Sequence, residues 1–377
     1  MAVPLLSMAM SSPAWSQSRV TLAGVIDEGL NYTNNAFGNP AWQMQSGDVQ
    51  SSIFTLSGVE DLGGGTKATF TLKTAFSVNN GARVPGRYFV GLANDRYGAL
   101  TLGRQYDSIV DFLSLTTAAG NWGGTLFAHP LDADNTNSSF HINNAAKYMS
   151  PDFGGFQFSA TYSFSNDTSF LYNRQYSFGA QYNHGPLLIA AGYLQANQPG
   201  EGVNGTTPPA DASFGADLVR IAGAGINYQL GHATLGFVYT YTRVQHPVYS
   251  GWLFDQSGNL LPISPPGETL NALNYQNFEL NGSYQFTPGF SLGASLTYTL
   301  MDYEASTGTQ KPKVVTAGVM ADYFLSKRTD VYFQSVFQHV GGDQTGSLLD
   351  HAYVLGAAGV STTANQVVVR VAMRHRF

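Results

Sequence analysis

Gly289-Phe290-Ser291-Leu292-Gly293 has the spacing of a serine nucleophile carried on an elbow. That chemistry needs a strand, a sharp turn and a helix to lift the hydroxyl clear of the backbone. Here the match follows Thr287-Pro288 and opens an alternating run, so it reads as a strand start and the spacing as coincidence. Gly223-Ala224-Gly225 lacks the third glycine and the following helix of a dinucleotide site. Asp132-x-Asp134-x-Thr136 lacks the glycine and the distant glutamate of a calcium loop. The 8 histidines show no H-E-x-x-H or other metal spacing. Cysteine is absent, which removes disulfides, zinc–thiolate sites and cysteine nucleophiles. No catalytic residue, metal or cofactor is expected, and the chain does not read as an enzyme.

The elements that would position any site point to a different class. The 377 residues are 43% hydrophobic and 13% aromatic but only 11% charged, against about 25% in an average soluble domain. No run of about 18 apolar residues occurs, which excludes a helical span. From Arg19 onward the period is two. Phe156, Phe158, Ala160, Tyr162 and Phe164 alternate with Gln157, Ser159, Thr161 and Ser163. Leu235, Phe237, Tyr239 and Tyr241 share one face, and Phe290, Leu292, Ala294, Leu296, Tyr298 and Leu300 another. The apolar faces run for about 9–11 residues, the length a tilted strand needs to cross a bilayer. The opposite faces carry Ser, Thr, Gln, Asn and Gly, where a soluble sheet would carry Lys and Glu. An all-β, transmembrane antiparallel β-barrel fits this pattern. The net charge of −6 argues against a nucleic-acid partner.

The connections alternate in length. Short ones fall at Glu60–Gly65, Asn94–Gly98, Pro151–Gly155, Asn183–Pro186, Gln229–His232, Thr287–Gly289 and Ser326–Asp330. Longer ones lie near Asn34–Gln50, Asn80–Gly86, Asp107–Asn144, Asn166–Arg174, Gln198–Asp217, His246–Asn274, Ser306–Pro312 and Gly341–Asn365. Short periplasmic turns on one rim and long extracellular loops on the other separate about 16 strands. No linker divides the chain. Residues 1–16 end in Ala14-Trp15-Ser16 and read as a partial, truncated signal peptide; residues 17–377 then form one barrel. The last run alternates Val367, Val369, Val371, Met373, His375 and Phe377 with Val368, Arg370, Ala372, Arg374 and Arg376.

Several segments resemble the trimeric general porins of Gram-negative outer membranes in their β-proteobacterial form. They are Val20-Thr-Leu-Ala-Gly-Val-Ile-Asp27, Ser57-Gly-Val-Glu-Asp-Leu-Gly-Gly-Gly65, Phe89-Val-Gly-Leu92 and Leu100-Thr-Leu-Gly-Arg-Gln-Tyr106. Lys147-Tyr-Met-Ser-Pro-Asp-Phe-Gly-Gly155, Leu325-Ser-Lys-Arg-Thr329 and Arg374-His-Arg-Phe377 complete the order. The resemblance implies a homotrimer in the outer-membrane lipid, passing ions and small hydrophilic solutes down their gradients. It also implies that the third loop, Asp107–Asn144, folds into the pore. The acids Asp107, Asp111, Asp132 and Asp134 on that loop would then face basic residues on the opposite wall, giving a transverse field that sets ion preference.

Parity supplies the bases. Phe70, Leu72 and Phe76 face outward, which turns Lys67 and Lys73 inward, and the last strand turns Arg370, Arg374 and Arg376 inward. Arg104 shares the outward parity of Leu100 and Leu102; lumen and subunit-interface roles are both open for it. The second strand departs from the family, reading Ser52-Ile-Phe-Thr-Leu-Ser-Gly58 where related porins carry Arg and Lys inside. Arg87 sits one position off the expected inward parity. Acids such as Asp48, Asp167, Glu201, Asp211, Asp255, Glu268, Asp343 and Asp350 would gather cations at the mouth. The expectation is weak selectivity, leaning to anions at the constriction. A solute-specific channel on the same scaffold is the alternative; its aromatic track would start from inward Tyr332 and Tyr88, which is sparse.

Overall fold

A computed structural model of the protein describes residues 18–377, so the expected leader (residues 1–16) lies outside the described residues. No helix is long and apolar enough to cross a membrane. The strands are β1 (Arg19–Ala36), β2 in two halves (Asn39–Ser46 and Ile53–Gly63), β3 (Thr66–Phe76), β4 (Arg83–Asn94), β5 (Gly98–Gln105), β6 (Ile142–Met149), β7 (Phe156–Ser163) and β8 (Gln175–His184). They continue as β9 (Leu187–Asn197), β10 (Leu218–Leu230), β11 (Ala233–Gln245), β12 (Leu270–Thr287), β13 (Phe290–Ala305), β14 (Pro312–Phe324), β15 (Thr329–Gly342) and β16 (Asn365–Arg376). Each pairs antiparallel with its chain neighbours, and β16 returns to β1 from Val25↔Arg376 to Thr33↔Val368. The result is a closed 16-strand barrel. Closure removes every sheet edge that a bilayer could not hydrate. Phe377 seals it, exchanging two backbone hydrogen bonds of 3.0 Å with Gly24.

Period-two alternation sets the two faces. In β11 Leu235 and Phe237 are exposed on the outer face, while Gly236, Val238, Thr240, Thr242 and Val244 are buried inside. The rim carrying both termini has tight turns. The turn from β2 to β3 passes through Gly63, Gly64 and Gly65, all at positive φ, which L side chains rarely adopt.

Two stretches read as loops are partly strand. Asn34–Gln50 is a hairpin: β1 runs on to Ala36, and Asn39–Ser46 pairs back along it to Glu28↔Ser46. Its Asn- and Gln-rich composition hides the ladder, because this hairpin needs no continuous apolar face. The long loops after β9 and β11 contribute a second small sheet of Phe214–Gly215, Tyr249–Phe254 and Leu260–Pro262. β12 therefore starts at Leu270, inside the expected loop.

The interior is occupied by the third loop, residues 106–141. It opens with a short helix, α1 (Ser108–Phe112), and continues as short helical turns along the inner wall. Inward glycines make the seat. A Cβ at Gly192 would lie 2.8 Å from Ile109, at Gly223 2.7 Å from Leu113, at Gly293 2.6 Å from Trp122 and at Gly318 2.6 Å from Phe127. Gly293 thus belongs to the G-x-S-x-G match for a packing reason: it admits the Trp122 ring. Substituting Gly293→Val is expected to push Trp122 off the wall and destabilise the loop by about 1–3 kcal/mol, as overpacking does. Proteolysis of the folded barrel within residues 106–141 would rise if so, and would stay at the unaltered protein's level if Trp122 packs elsewhere.

Candidate functional site: the lumen constriction

The third loop covers the inner faces of β8 to β15 and leaves those of β3 to β5 partly open. Its attachment is polar as well as apolar. His129 lies between two carboxylates, with Nδ1 2.6 Å from Asp134 and Nε2 2.8 Å from Glu279. Asp134 also accepts from Thr240 at 2.5 Å on β11. Glu279 accepts from the Ala118 N–H at 2.7 Å and from Asn281 at 2.6 Å. All three ionisable groups are fully buried. Burial opposes the charged imidazolium, yet Asp134 and Glu279 outweigh it and hold His129 protonated well above its ordinary range. A raised folded pKa gives stability that is complete below about 6.5 and lost as pH rises through the raised value. Loop protection against protease is therefore expected to persist at neutral pH and weaken at alkaline pH. His129→Gln should flatten that dependence; an unchanged alkaline transition in the variant would contradict the assignment.

This network corrects three of the expected constriction acids. Asp107 caps α1, accepting from Ile109 N–H at 2.8 Å and Val110 N–H at 3.2 Å, and holds Asn135 at 2.7 Å. Asp132 accepts from the N–H groups of Asn137 and Ser139 at 3.0 and 3.2 Å. With Asp134 they are fully buried and face the loop's own backbone or the wall. A folded loop this long must satisfy its backbone N–H groups, and short carboxylates do so locally. Asp111 alone of the four pairs with a basic residue of the barrel wall, Lys147 of the adjoining strand β6, at 2.5 Å.

Two bases converge on the open wall. Lys73 of β3 and Arg87 of β4 lie 5.8 and 4.6 Å from the centre of the Tyr106 ring. Neither has an ion-pair partner among the described residues. Arg87 corrects the parity reading. The β3–β4 ladder slips between Leu72↔Tyr88 and Thr74↔Pro85, and Arg87 falls on the inner face beside Lys73. Tyr88 correspondingly faces outward, its hydroxyl 2.6 Å from Thr74, and contributes nothing to a track. The His141 ring leans against Tyr106, the ring centres 4.7 Å apart and the planes tilted by 31°. Burial lowers its pKa to about 3, with Arg104, Lys73 and Arg87 adding to the effect, so its ring is neutral. A cavity of about 440 Å³ opens above this group, bordered by Ser51, Lys73, Tyr106, Asn137, His141 and Asp211.

The remaining candidates lie elsewhere. Lys67 is at the periplasmic rim, 3.4 Å from exposed Asp95. Arg374 and Arg376 share Asp330 at 3.0 and 2.9 Å, also near that rim. Arg370 points inward but is fully buried. It holds Asp27 at 3.0 Å, Asn31 at 2.8 Å, the Tyr332 hydroxyl at 3.0 Å and, more loosely, Asp48 at 3.7 Å. Asp48 is therefore no mouth acid. Residues 47–52 leave the wall between the halves of β2, and Asp48 accepts from Leu126 N–H at 3.1 Å, tying β2 to the third loop. Tyr332 is consumed in the same cluster. Arg104 clamps a loop of its own chain, meeting Asp211 at 2.8 and 2.9 Å and the Gly86 carbonyl at 2.9 Å. Arg104→Gln is expected to free the loop after β9 and raise current noise at the mouth without altering ion preference; equally quiet traces would contradict the clamp.

Parity alone would have found Lys147, since Tyr148 faces outward beside it. Glu279 stood out as a lone acid on an otherwise neutral inner face. Tyr106 and His129 carry no signal in the sequence, because their roles depend on how the loop folds.

A closed 16-strand barrel with a polar interior, an apolar belt and a loop narrowing the lumen defines a transmembrane diffusion channel. A Gram-negative porin family profile matches residues 2–343, and the chain belongs to that family. It is an outer-membrane porin. An outer membrane porin of Bordetella pertussis is 26% identical over 85% of this chain and 88% of its own length. Outer membrane porin protein 32 of Delftia acidovorans is 26% identical over 100% of this chain and 99% of its own. Among solved structures, an anion-selective porin from Comamonas acidovorans matches with TM-score 0.71 and 22% identity, covering 96% of this chain and 100% of that one. The trimer form of OmpT from Vibrio cholerae matches with TM-score 0.63 and 18% identity, covering 96% of this chain and 99% of that one.

Proposed function

We propose that this porin passes small hydrophilic anions in modest preference to cations, and that Lys73 and Arg87 carry the preference. The observation behind this is the charge count at the narrows. Asp111 and Lys147 cancel at 2.5 Å, Arg104 and Asp211 cancel at 2.8 Å, His141 is neutral, and Lys73 and Arg87 remain in excess of the acids, neither in an ion pair of its own. The magnitude follows from distance. A unit charge about 7 Å from an ion in water is worth about 0.6 kcal/mol. Attracting anions and repelling cations doubles that, and salt with a Debye length of about 10 Å takes back about half. Each base then favours anions about threefold, and acids at the mouth reduce the product. The name of the Comamonas neighbour agrees in sign.

A homotrimer is part of the same proposal, supported by the trimeric form among the neighbours. The loop after β3 is short, spanning residues 77–82, so it offers a neighbouring subunit little to grip. Planar-bilayer recording of the purified, refolded protein tests both points. Steps arriving in threes with an anionic reversal potential are expected. Single independent steps would remove the trimer, and saturable block by one solute would indicate a solute-specific channel instead.

A further inference from the structure

The second small sheet takes no part in closing the barrel, and its position gives it another role. Its longest strand, Tyr249–Phe254, carries Trp252 and Phe254 to the border of the cavity of about 440 Å³ above Lys73. Two hydrogen bonds fix the strand there. The Gly251 N–H and the Ser250 hydroxyl both donate to the Ser213 carbonyl, each at 3.0 Å. The loop that supplies Ser213 is itself held by the Arg104–Asp211 pair. From the barrel wall, Ile53, Ala75 and Val84 stand in register across β2, β3 and β4 and border the same cavity.

That apolar row is out of place on an open pore wall. Inward residues such as Ile221 and Val238 are buried in the core that the wall makes with Ile109 and Leu113 of the third loop, whereas Ala75 and Val84 are not buried. Lys73 shares the face of Ala75 and lies two residues nearer the periplasm, about 7 Å along the strand. An ammonium group therefore stands about one ring length below an apolar and aromatic slot. Three donors in the walls are also unmatched. Trp252 Nε1, Ser139 Oγ and Ser213 Oγ are buried without a hydrogen-bond partner among the described residues. All three residues border the cavity, and Ser213 is only 7% exposed. Buried donors left without partners are costly, so an acceptor on a solute is favoured there.

We infer that this cavity is a subsite for aromatic carboxylates on their way to the constriction. The inference rests on the anion preference proposed above and names the class of anion the mouth favours. The ring lies between the Trp252 and Phe254 side chains and the Ile53–Ala75–Val84 row. The carboxylate meets the Lys73 ammonium in a charge-assisted hydrogen bond. A hydroxyl on the ring serves the unmatched Ser139, Ser213 and Trp252 donors. A short aliphatic acid can use Lys73 but not the slot, so the ring is what discriminates. Covering about half of a phenyl ring is worth about tenfold in affinity.

Open-channel current through the refolded protein in KCl tests this with four probes: benzoate, 4-hydroxybenzoate, acetate and benzyl alcohol. Both ring acids should interrupt the current at concentrations at least about tenfold below acetate, and benzyl alcohol should not interrupt it in that range. F254S and V84N, made separately, should each bring the ring acids several-fold closer to acetate. The two residues lie on different elements, so either variant with a heat-modifiable folded band carries the comparison. Undiminished ring preference in the folded variants would overturn the slot. Benzyl alcohol as effective as benzoate would overturn the part given to Lys73. Block by one ring acid alone would make the channel specific for that solute and overturn the class. The KCl reversal potential without added acid tests the anion preference separately. An anionic sign with ring acids no better than acetate overturns the subsite alone, and a cationic sign overturns the preference beneath it.

Discussion

Replacing Lys73 and Arg87 together by glutamine is expected to abolish the anion preference and bring the permeability ratio near unity or slightly cationic. Replacing both by glutamate should reverse it and move the permeability ratio by about 80-fold in all, because each charge changes by two and each unit is worth about threefold after screening. Conductance should change less than selectivity, since the side chains stay similar in volume. The Asp111→Asn variant gives the complementary shift. It frees Lys147 from its 2.5 Å partner and should strengthen the anion preference about threefold. Reversal potentials under a salt gradient read all three proteins. An anion preference that survives loss of both bases would place the selecting charges elsewhere.

The second large effect is on stability. Arg370 neutralises a fully buried cluster in which Asp27 and Asp48 have no access to water. Arg370→Met is expected to cost about 3–5 kcal/mol, the usual penalty for leaving a buried charge without its partner. The loss reaches the pore, because Asp48 also receives the Leu126 N–H and so connects the broken second strand to the third loop. The urea midpoint for unfolding should fall markedly, and open-channel current should become noisier. The triple variant D27N/D48N/R370M should recover most of the stability, since amides can remain buried without a counter-ion. An unchanged midpoint in Arg370→Met, or no recovery in the triple variant, would show that the cluster is not a coupled unit.

Alternation made the barrel legible because a bilayer enforces it. Outward residues at membrane depth must suit an apolar neighbour, lipid or another barrel, so Leu235, Phe237 and Tyr239 could hardly be read another way. The inner face is constrained less strictly, and there the reading thinned. Parity placed Lys73 and Arg370 inward but could not show that Arg370 is walled in by Asp48, because that contact needs residues 47–52 to leave the strand. It misplaced Arg87 although Val90 and Leu92 face outward, which by the strand's own alternation turns residues 87, 89 and 91 inward. The loop acids were assigned to the pore by analogy of position. Asp107 in fact precedes Ser108-Ile109-Val110 as a helix cap, and His129 holds Asp134 against the wall. A loop buried inside a barrel spends its charges on its own attachment before any are left for the solute.

The most direct test is single-channel recording of the unaltered, refolded protein in a planar bilayer across a tenfold KCl gradient. Stable open steps with a reversal potential of anionic sign, corresponding to a chloride preference of about threefold, are expected if Lys73 and Arg87 line an open constriction. A silent barrel would contradict the open path between the third loop and β3–β5, and a reversal potential of cationic sign would contradict the role given to the two bases.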